Sequence, residues 1–331
     1  MVSNTQKVDA VFEGGGVKGL GLFGAAAVTE EKGYVFENVA GTSAGAIVAA
    51  LIAAGYKGTE LKKIQNEVDY LRFKDPTPQQ EIPLIGSVLS LITEKSLYKG
   101  DFFESWLHER LQEKNISTFG DLVMEEYKDD PKYRYKLQVI ASDISRGKML
   151  VLPRDIVHYG INPDELSVVK AVRMSMSIPF FFKPVTLTSS AGVSSYIVDG
   201  ALLSNFPIWL FDDGTPDPAW PTLGYKLVDP DMDKPHDIRS PLSLFTAMFY
   251  TMMEAHDARY IEDKNFARSI PIPTVGVQTT QFDISLRKRD ELYKSGVEAA
   301  EEFFKKWNFE TYKREYRQAK PQGRQQRLLE E

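Results

Sequence analysis

The chain has 331 residues, a net charge of -6 and no cysteine. This length predicts one large domain or two of ordinary size, and the 43% hydrophobic and 26% charged residues are typical of a globular protein. The acidic balance argues against a nucleic-acid partner, and the missing cysteines exclude disulfides, a thiol nucleophile and cysteine-bound zinc. Because no signal-like segment precedes the first strand and no apolar run is long enough to span a bilayer, the sequence predicts a cytoplasmic protein without a transmembrane segment.

The first third of the chain alternates strand patterns with helix patterns. Short apolar runs at 8–12 and 36–40 predict strands, whereas the runs at 19–32, 44–55 and 59–70 predict helices. This alternation favours βαβ units and a parallel sheet. We therefore expect an α/β fold, a three-layer α/β/α sandwich with a mainly parallel central sheet.

Later segments continue the pattern with more interruptions. A Pro-rich break follows Asp75, and the apolar stretch 82–92 after it is the better candidate for a lid, with 75–115 as the inserted region. The helix at 242–253 is dense in aromatic and methionine side chains, which adapt to irregular apolar partners such as acyl chains. The alternative, which helical apolar periodicity favours, is that this helix covers the sheet. Further helices are predicted at 100–111, 168–176, 242–263 and 286–307, and further strands at 137–141, 149–152, 184–187, 196–198, 223–228 and 271–277.

One glycine-rich turn, Gly41-Thr42-Ser43-Ala44-Gly45, has the pattern of a nucleophile elbow. In such an elbow the chain turns so sharply from strand to helix that the residues flanking the serine have no room for side chains. The strand-like run before this turn and the small-residue helix after it favour Ser43 as a nucleophile. The alternative is a tight junction with a helix-capping serine.

A second glycine-rich turn, Glu13-Gly14-Gly15-Gly16-Val17-Lys18-Gly19, precedes the elbow. It brings successive N–H groups to a helix N-terminus, as a developing oxyanion requires. The candidate oxyanion-hole residues are Gly14, Gly15, Gly16, Lys18 and Gly19. These glycines also match a dinucleotide-binding fingerprint, but the second strand ends without the acidic residue that holds a ribose hydroxyl, so no nucleotide cofactor is expected.

The candidate base is Asp199, in Asp199-Gly200-Ala201 after a strand-like run. The alternative is a turn-forming aspartate before Gly200. A Ser, acid, His order would nominate His236 or His256, yet these, like His108 and His158, stand in surface or helical contexts.

No metal site is expected from the sequence. The acidic repeat Asp229-x-Asp231-x-Asp233 has Lys234 where a calcium loop has its turn glycine, and Ser240 where that loop has its bidentate glutamate. Nothing else in the chain has metal-ligand spacing.

Together, the motifs at 14–19, 41–45 and 199–201 resemble the patatin-like phospholipases. The family pattern is a Gly-rich oxyanion loop ending in a basic residue and Gly, then Gly-x-Ser-x-Gly, then Asp-Gly-Ala or Asp-Gly-Gly. The resemblance continues through 171–179 and extends to Trp307. Two residues depart from the pattern, with Glu13 where the family often has Asp and Lys18 where it usually has Arg.

The resemblance implies a Ser–Asp dyad without histidine, in which Asp199 accepts the proton of Ser43 and an acyl-Ser43 intermediate forms. Gly41, Gly45 and Gly200 are then the motif glycines. It also implies a patatin-like hydrolase domain over 1–309. The polar composition of the residues from Glu310 onward predicts a flexible tail over 310–331.

The expected activity is hydrolysis of acyl esters of phospholipids or lysophospholipids, without a cofactor and with a membrane surface as the candidate partner. Two alternatives stay open. One is a soluble esterase or thioesterase of small acyl substrates, and the other is a catalytically idle storage or interaction protein. The sequence does not indicate an oligomeric state.

Overall fold

The computed structural model describes residues 6–75, 96–230, 238–239, 241–258 and 263–318; within 241–258 it describes the side chains of 243, 244 and 247–253. The lid candidate at 82–92, Asp231, Asp233 and His236 therefore lie outside the described residues, as does the side chain of His256. None of the described helices is long and apolar enough to cross a membrane.

The described strands form one large mixed sheet and one small one. They are β1 (Gln6–Phe12), β2 (Tyr34–Thr42), β3 (Ser96–Tyr98), β4 (Leu137–Asp143), β5 (Lys148–Leu152), β6 (Phe180–Phe182), β7 (Val185–Thr188), β8 (Ser194–Asp199), β9 (Thr222–Val228) and β10 (Ser269–Pro273). The large sheet has the hydrogen-bonded order β10-β9-β1-β2-β4-β8-β7, with β5 also paired to β4, while β3 pairs with β6. The five strands from β10 to β4 are parallel, and β5, β7 and β8 pair antiparallel.

Helices pack against this sheet and against one another. The described helices are α1 (Leu20–Glu31), α2 (Ala44–Ala53), α3 (Gly58–Glu67), α4 (Asp101–Gln112), α5 (Val168–Ser175), α6 (Pro241–Ala258), α7 (Asp263–Ala267), α8 (Leu286–Lys306) and α9 (Phe309–Tyr312). Helix α1 packs against α3 and α8, and α2 packs against β1, β2 and β4. The expected α/β fold with a mainly parallel sheet is confirmed.

Strand β1 shows how the two faces of the sheet are filled. Val8, Ala10 and Phe12 point into the main core with the helices, whereas Val11 points into a second cluster. That cluster also contains buried apolar residues of the non-helical segment 206–211. Both faces of β1 are thus covered, which explains why its apolar residues fall on both sets of alternating positions, with Val11 on one face and Val8, Ala10 and Phe12 on the other.

The register of β4 brings the ends of β2 and β8 together. Val139 and Ile140 of β4 pair with β2 and β5 at once, and Ala141–Asp143 pair with β5 and β8 at once. Because a strand has only two edges, β2 and β8 share the edge opposite β5. Thr42, the last residue of β2, pairs with Ile140, and Asp199, the last residue of β8, pairs with the adjacent Ala141.

The structure differs from the sequence-based prediction at residues 310–317, which are helical rather than a flexible tail. Tyr312 is buried, and Arg317 forms ion pairs with Asp212 and Asp213. One buried aromatic residue and a paired arginine hold a segment whose composition is polar. Residues 319–331 lie outside the described residues.

The inserted region predicted at 75–115 also needs correction, because α4 belongs to the core. Phe103, Leu107 and Leu111 of α4 are buried in the main apolar cluster. The lid candidate at 82–92 lies outside the described residues and stays a prediction.

Candidate active site

Ser43 lies on a strained turn between β2 and α2. Its backbone has φ 53° and ψ -124°, a left-handed conformation that L-residues rarely adopt. A Cβ on Gly41 would lie 2.3 Å from the backbone of Gly45, and one on Gly45 would lie 2.2 Å from the carbonyl oxygen of Phe12. Both motif glycines are therefore required by close backbone packing, as the elbow pattern predicts.

The hydroxyl of Ser43 donates a hydrogen bond to Oδ2 of Asp199 at 2.7 Å. The other carboxylate oxygen, Oδ1, accepts the N–H of Ala201 at 2.9 Å. Gly200 between them has no space for a side chain, since its Cβ would lie 2.2 Å from the carbonyl oxygen of Ile140. The serine and the aspartate nominated from the sequence thus face each other, although 156 positions separate them in the chain.

Burial dominates the electrostatics of this pair. Ser43 is 3% exposed and Asp199 is fully buried. Desolvation disfavours the charged carboxylate and raises the pKa of Asp199 to about 7, against the hydrogen bonds from Ala201 and Ser43, which lower it. A carboxylate with such a pKa binds a proton far more readily near neutral pH than an ordinary aspartate does.

The end of α5 and the turn after it hold both members of the pair. The hydroxyl of Ser175 accepts the N–H of Ser43 at 2.9 Å and donates to the carbonyl of Ile140 at 2.6 Å. The N–H of Asp199 donates to the carbonyl of Ser177 at 2.9 Å. Sequence reasoning assigned no role to these serines, although both lie within the 171–179 segment that resembles the family.

A buried arginine secures the same turn. Arg173 donates to the hydroxyl of Ser177 at 2.5 Å and to the carbonyl of Lys183 at 2.9 Å. It also donates to the carbonyl of Lys99, on the chain that enters α4. The arginine therefore ties three parts of the chain together beside Ser177, whose carbonyl holds Asp199.

The glycine-rich loop lies beside Ser43, and an asparagine holds it there. The N–H of Gly14 donates to the carbonyl of Asn205 at 3.2 Å, and the side chain of Asn205 donates to the carbonyl of Gly14 at 3.3 Å. A Cβ on Gly14 would lie 3.1 Å from Cβ of Ser43, so the loop and the elbow are in close contact. Nothing in the sequence nominated Asn205.

Donors of this loop differ in whether they are already used. The N–H of Lys18 donates to the carbonyl of Gly15, and the N–H of Val17 donates to the carbonyl of Thr279. Within the described part of the chain, the N–H groups of Gly15 and Gly16 have no backbone acceptor in the loops and turns. These two are therefore candidate donors to a ligand.

Lys18 and Gly19 have other contacts. The ammonium of Lys18 lies 2.8 Å from Oδ2 of Asp229, and the pair links the loop to the end of β9. Gly19 packs on the residue after the nucleophile, since a Cβ there would lie 2.7 Å from Cβ of Ala44. Oε1 of Glu13 accepts a hydrogen bond from Nζ of Lys226 at 2.8 Å, and this contact also holds the loop against β9.

Neither histidine side chain in the described residues belongs to this site. His108 is exposed on α4, and His158 is exposed on the short helical turn at Arg154–Tyr159. The same described ranges contain no group of three or more His, Asp or Glu residues that could hold a metal ion.

A family model described as patatin-like phospholipase matches residues 10–212, which contain the elbow, the glycine-rich loop and Asp199. The chain is also 42% identical over 304 residues to the protein YqhO of Bacillus subtilis, covering 91% of this chain and 99% of that protein. The NTE family protein MT2641 of Mycobacterium tuberculosis is 27% identical over 197 residues, 60% of this chain and 27% of that protein. The chain belongs to the patatin-like phospholipase family.

Among solved structures, the chain is similar to VipD of Legionella pneumophila. The TM-score is 0.55 at 19% sequence identity, with 91% of this chain and 67% of VipD covered. This likeness shows a shared fold. The family assignment supports a lipid hydrolase.

Proposed function

We propose that the protein is a lipid acyl hydrolase that cleaves acyl esters of phospholipids or lysophospholipids through Ser43 and Asp199. One observation carries the proposal: the Ser43 hydroxyl, on a strained elbow, donates to a buried carboxylate at 2.7 Å. A nucleophile and a base within hydrogen-bond reach are the minimum that acyl transfer needs. Membership of a phospholipase family supports a lipid as the substrate.

In the first half-reaction, the oxygen of Ser43 attacks the ester carbonyl while Asp199 takes its proton. The leaving alcohol, a lysophospholipid or a glycerophosphate headgroup, takes that proton as the C–O bond breaks. An ordinary aspartate is a weak base, but a pKa near 7 matches the operating pH better. Water then attacks the acyl-Ser43 ester with Asp199 again as base, and releases the fatty acid and free enzyme.

We assign the oxyanion hole to the N–H groups of Gly15 and Gly16. The support is that the neighbouring donors are committed, that of Gly14 to Asn205 and that of Val17 to Thr279. One well-placed donor stabilises a tetrahedral intermediate by about 3–4 kcal/mol, so two offset much of the weakness of the base. The positive φ of 55° at Gly16 is the conformation that lets its neighbours turn toward the elbow.

A fluorophosphonate probe tests the nucleophile. Wild-type protein should be labelled on Ser43, and Ser43→Ala should abolish the labelling. Ser269→Ala is the matched control, because Ser269 is also buried and donates to a carbonyl, that of Asn265, at 2.6 Å. Undiminished labelling of folded Ser43→Ala would overturn the proposal.

A substrate profile tests the class of ester. Phospholipid, lysophospholipid and a short nitrophenyl ester are compared at equal enzyme concentration, and the two lipids should be hydrolysed with the higher kcat/KM. A preference for the short ester would favour the esterase alternative, and inactivity on all three would favour an idle protein. A cytoplasmic location remains a prediction from the sequence.

A further inference from the structure

The outer face of α6 carries three exposed apolar side chains in a row, Leu244, Met248 and Met252. They are 46%, 50% and 41% exposed. Residues four positions apart lie on one face of a helix, so these three form a continuous line of about 12 Å at 1.5 Å per residue. We call Leu244, Met248 and Met252 the α6 stripe. The sequence-based interpretation of this helix as a cover for the sheet does not account for them.

The inner face of the same helix lies over the catalytic pair. Ala247 and Phe249 are buried, and Tyr250 hydrogen-bonds Thr279 and lies within electrostatic range of Asp199. The helix also contacts the turn Gly200–Leu202 that follows Asp199. Because Tyr250 is two residues from Met248 and from Met252, it points to the opposite side of the helix. The α6 stripe therefore faces outward on the element that covers the dyad.

The absence of charged residues distinguishes this face of α6 from the solvent-exposed face of an ordinary helix. The segment 241–253 contains no Asp, Glu, Lys, Arg or His. Helix α8, by contrast, carries i,i+3 and i,i+4 ion pairs such as Lys288–Glu291 and Lys306–Glu302. Glu254 and Asp257 follow this segment in the last turn of α6, so the three side chains of the stripe can enter a lipid headgroup region without desolvating a charge.

We propose that the α6 stripe docks on the surface of a lipid aggregate, with α6 parallel to that surface and the dyad beneath it. The inference rests on the proposed function for its choice of partner, since a lipid hydrolase needs its substrate beside the elements that cover its site. With no cation on 241–253 and a net charge of -6, attachment depends on apolar burial rather than on anionic lipid.

Vesicle flotation tests the proposal without using catalysis. The full chain with Ser43→Ala is mixed with phosphatidylcholine vesicles, with and without phosphatidylglycerol. Met248→Gln and the triple variant Leu244→Gln, Met248→Gln, Met252→Gln remove the apolar surface while keeping residues of similar helix propensity. Met248→Leu keeps it apolar. Val157→Gln is the matched control, because Val157 is 51% exposed beyond the end of β5, away from the elbow.

The parent protein should float with phosphatidylcholine alone, and equally well when salt is raised from about 0.1 M to about 1 M, where surface charges are screened. Met248→Gln should weaken binding by about tenfold and the triple variant by about a hundredfold or more, in line with the transfer of an apolar side chain out of lipid. Met248→Leu and Val157→Gln should bind like the parent.

Three results would overturn the inference. The first is a parent protein that does not float, and the second is a triple variant that floats as well as the parent. The third is a dimer that gel filtration detects in the parent and not in the triple variant, because a second copy of the chain would then cover the α6 stripe. A melting temperature of the triple variant within a few degrees of the parent's shows that it is folded. If the wild-type protein has no esterase activity, the proposed function is contradicted, but these binding results are unaffected.

Discussion

Ser175 links the nucleophile elbow to the central sheet, because its hydroxyl accepts the N–H of Ser43 and donates to the carbonyl of Ile140. The strained backbone of Ser43 is thus held from a neighbouring helix end as well as by its own glycines. A serine at position 175 is a positioning residue in this arrangement, since it touches the elbow and not the reacting hydroxyl.

Ser175→Ala should lower kcat on a short soluble ester by about tenfold and leave KM within a factor of two. The variant also loses two buried hydrogen bonds, which lowers the free energy of unfolding by about 1–3 kcal/mol. Ser269→Ala removes one buried hydrogen bond away from the site, and it should lower stability by about half as much with unchanged kcat. Equal kcat in both variants would contradict a positioning role for Ser175.

The pKa of Asp199 predicts a pH-dependent stability. Because the pKa is raised from 3.8 to about 7 on folding, the unfolded chain releases this proton first as the pH rises. The favourable contribution of the protonated group is complete below about pH 4 and is lost as the pH rises through about 7. Residue 199 does not titrate in Asp199→Asn. As the pH rises through this interval, the free energy of unfolding of the variant should therefore increase relative to that of wild type. Urea unfolding at pH 4, 5.5 and 8 measures the difference, and a constant or reversed difference would contradict it.

Activity should depend on the same ionisation in the opposite sense. Only the ionised carboxylate accepts the proton of Ser43, so kcat/KM on a soluble ester should rise with pH and level off above about 7. Burial also raises the pKa of Asp9 to about 7. Asp9→Asn is therefore the control, and it should keep the rising limb. A profile that is flat from pH 5 to 9, or that flattens in Asp9→Asn, would show that Asp199 is not the titrating base.

Gly45→Ala should destabilise the protein severely. The new Cβ would lie 2.2 Å from the carbonyl oxygen of Phe12, a backbone atom of β1 that cannot move without disturbing the sheet. The expected loss in free energy of unfolding is about 3 kcal/mol or more. Gly55→Ala is the comparison, because nothing lies within 4 Å of its Cβ and only the positive φ of 94° is strained, at about 1–2 kcal/mol. Similar losses in the two variants would contradict the packing argument.

Local sequence patterns nominated Ser43, Asp199 and the glycine-rich loop, which the structure places together. The elbow was predictable because the turn at Ser43 itself requires Gly41 and Gly45. The structural requirement and the sequence pattern that reveals it therefore lie in the same five residues. The strands and helices of the first third were predictable for the same reason, since periodicity and glycine placement are local.

Contacts between distant segments were not predictable in this way. Ser175 and Asn205 act through single hydrogen bonds to the elbow and to the glycine-rich loop, and no spacing rule marks a residue for such a bond. Composition suggested a loose tail from 310 onward, yet Tyr312 is buried in the fold. The direction in which α6 presents Met248 likewise follows from packing, because the whole segment is apolar.

The shared edge of β4 has a consequence during synthesis. Thr42 and Asp199 meet only when β8 has paired alongside the end of β2, and β8 is made long after the elbow. A nascent chain that has been synthesised only as far as β5 contains Ser43 and the glycine-rich loop, but it does not yet contain Asp199 to accept the proton of the Ser43 hydroxyl. On the proposed mechanism, the growing polypeptide cannot hydrolyse lipid until β8 has been translated and has paired with β4.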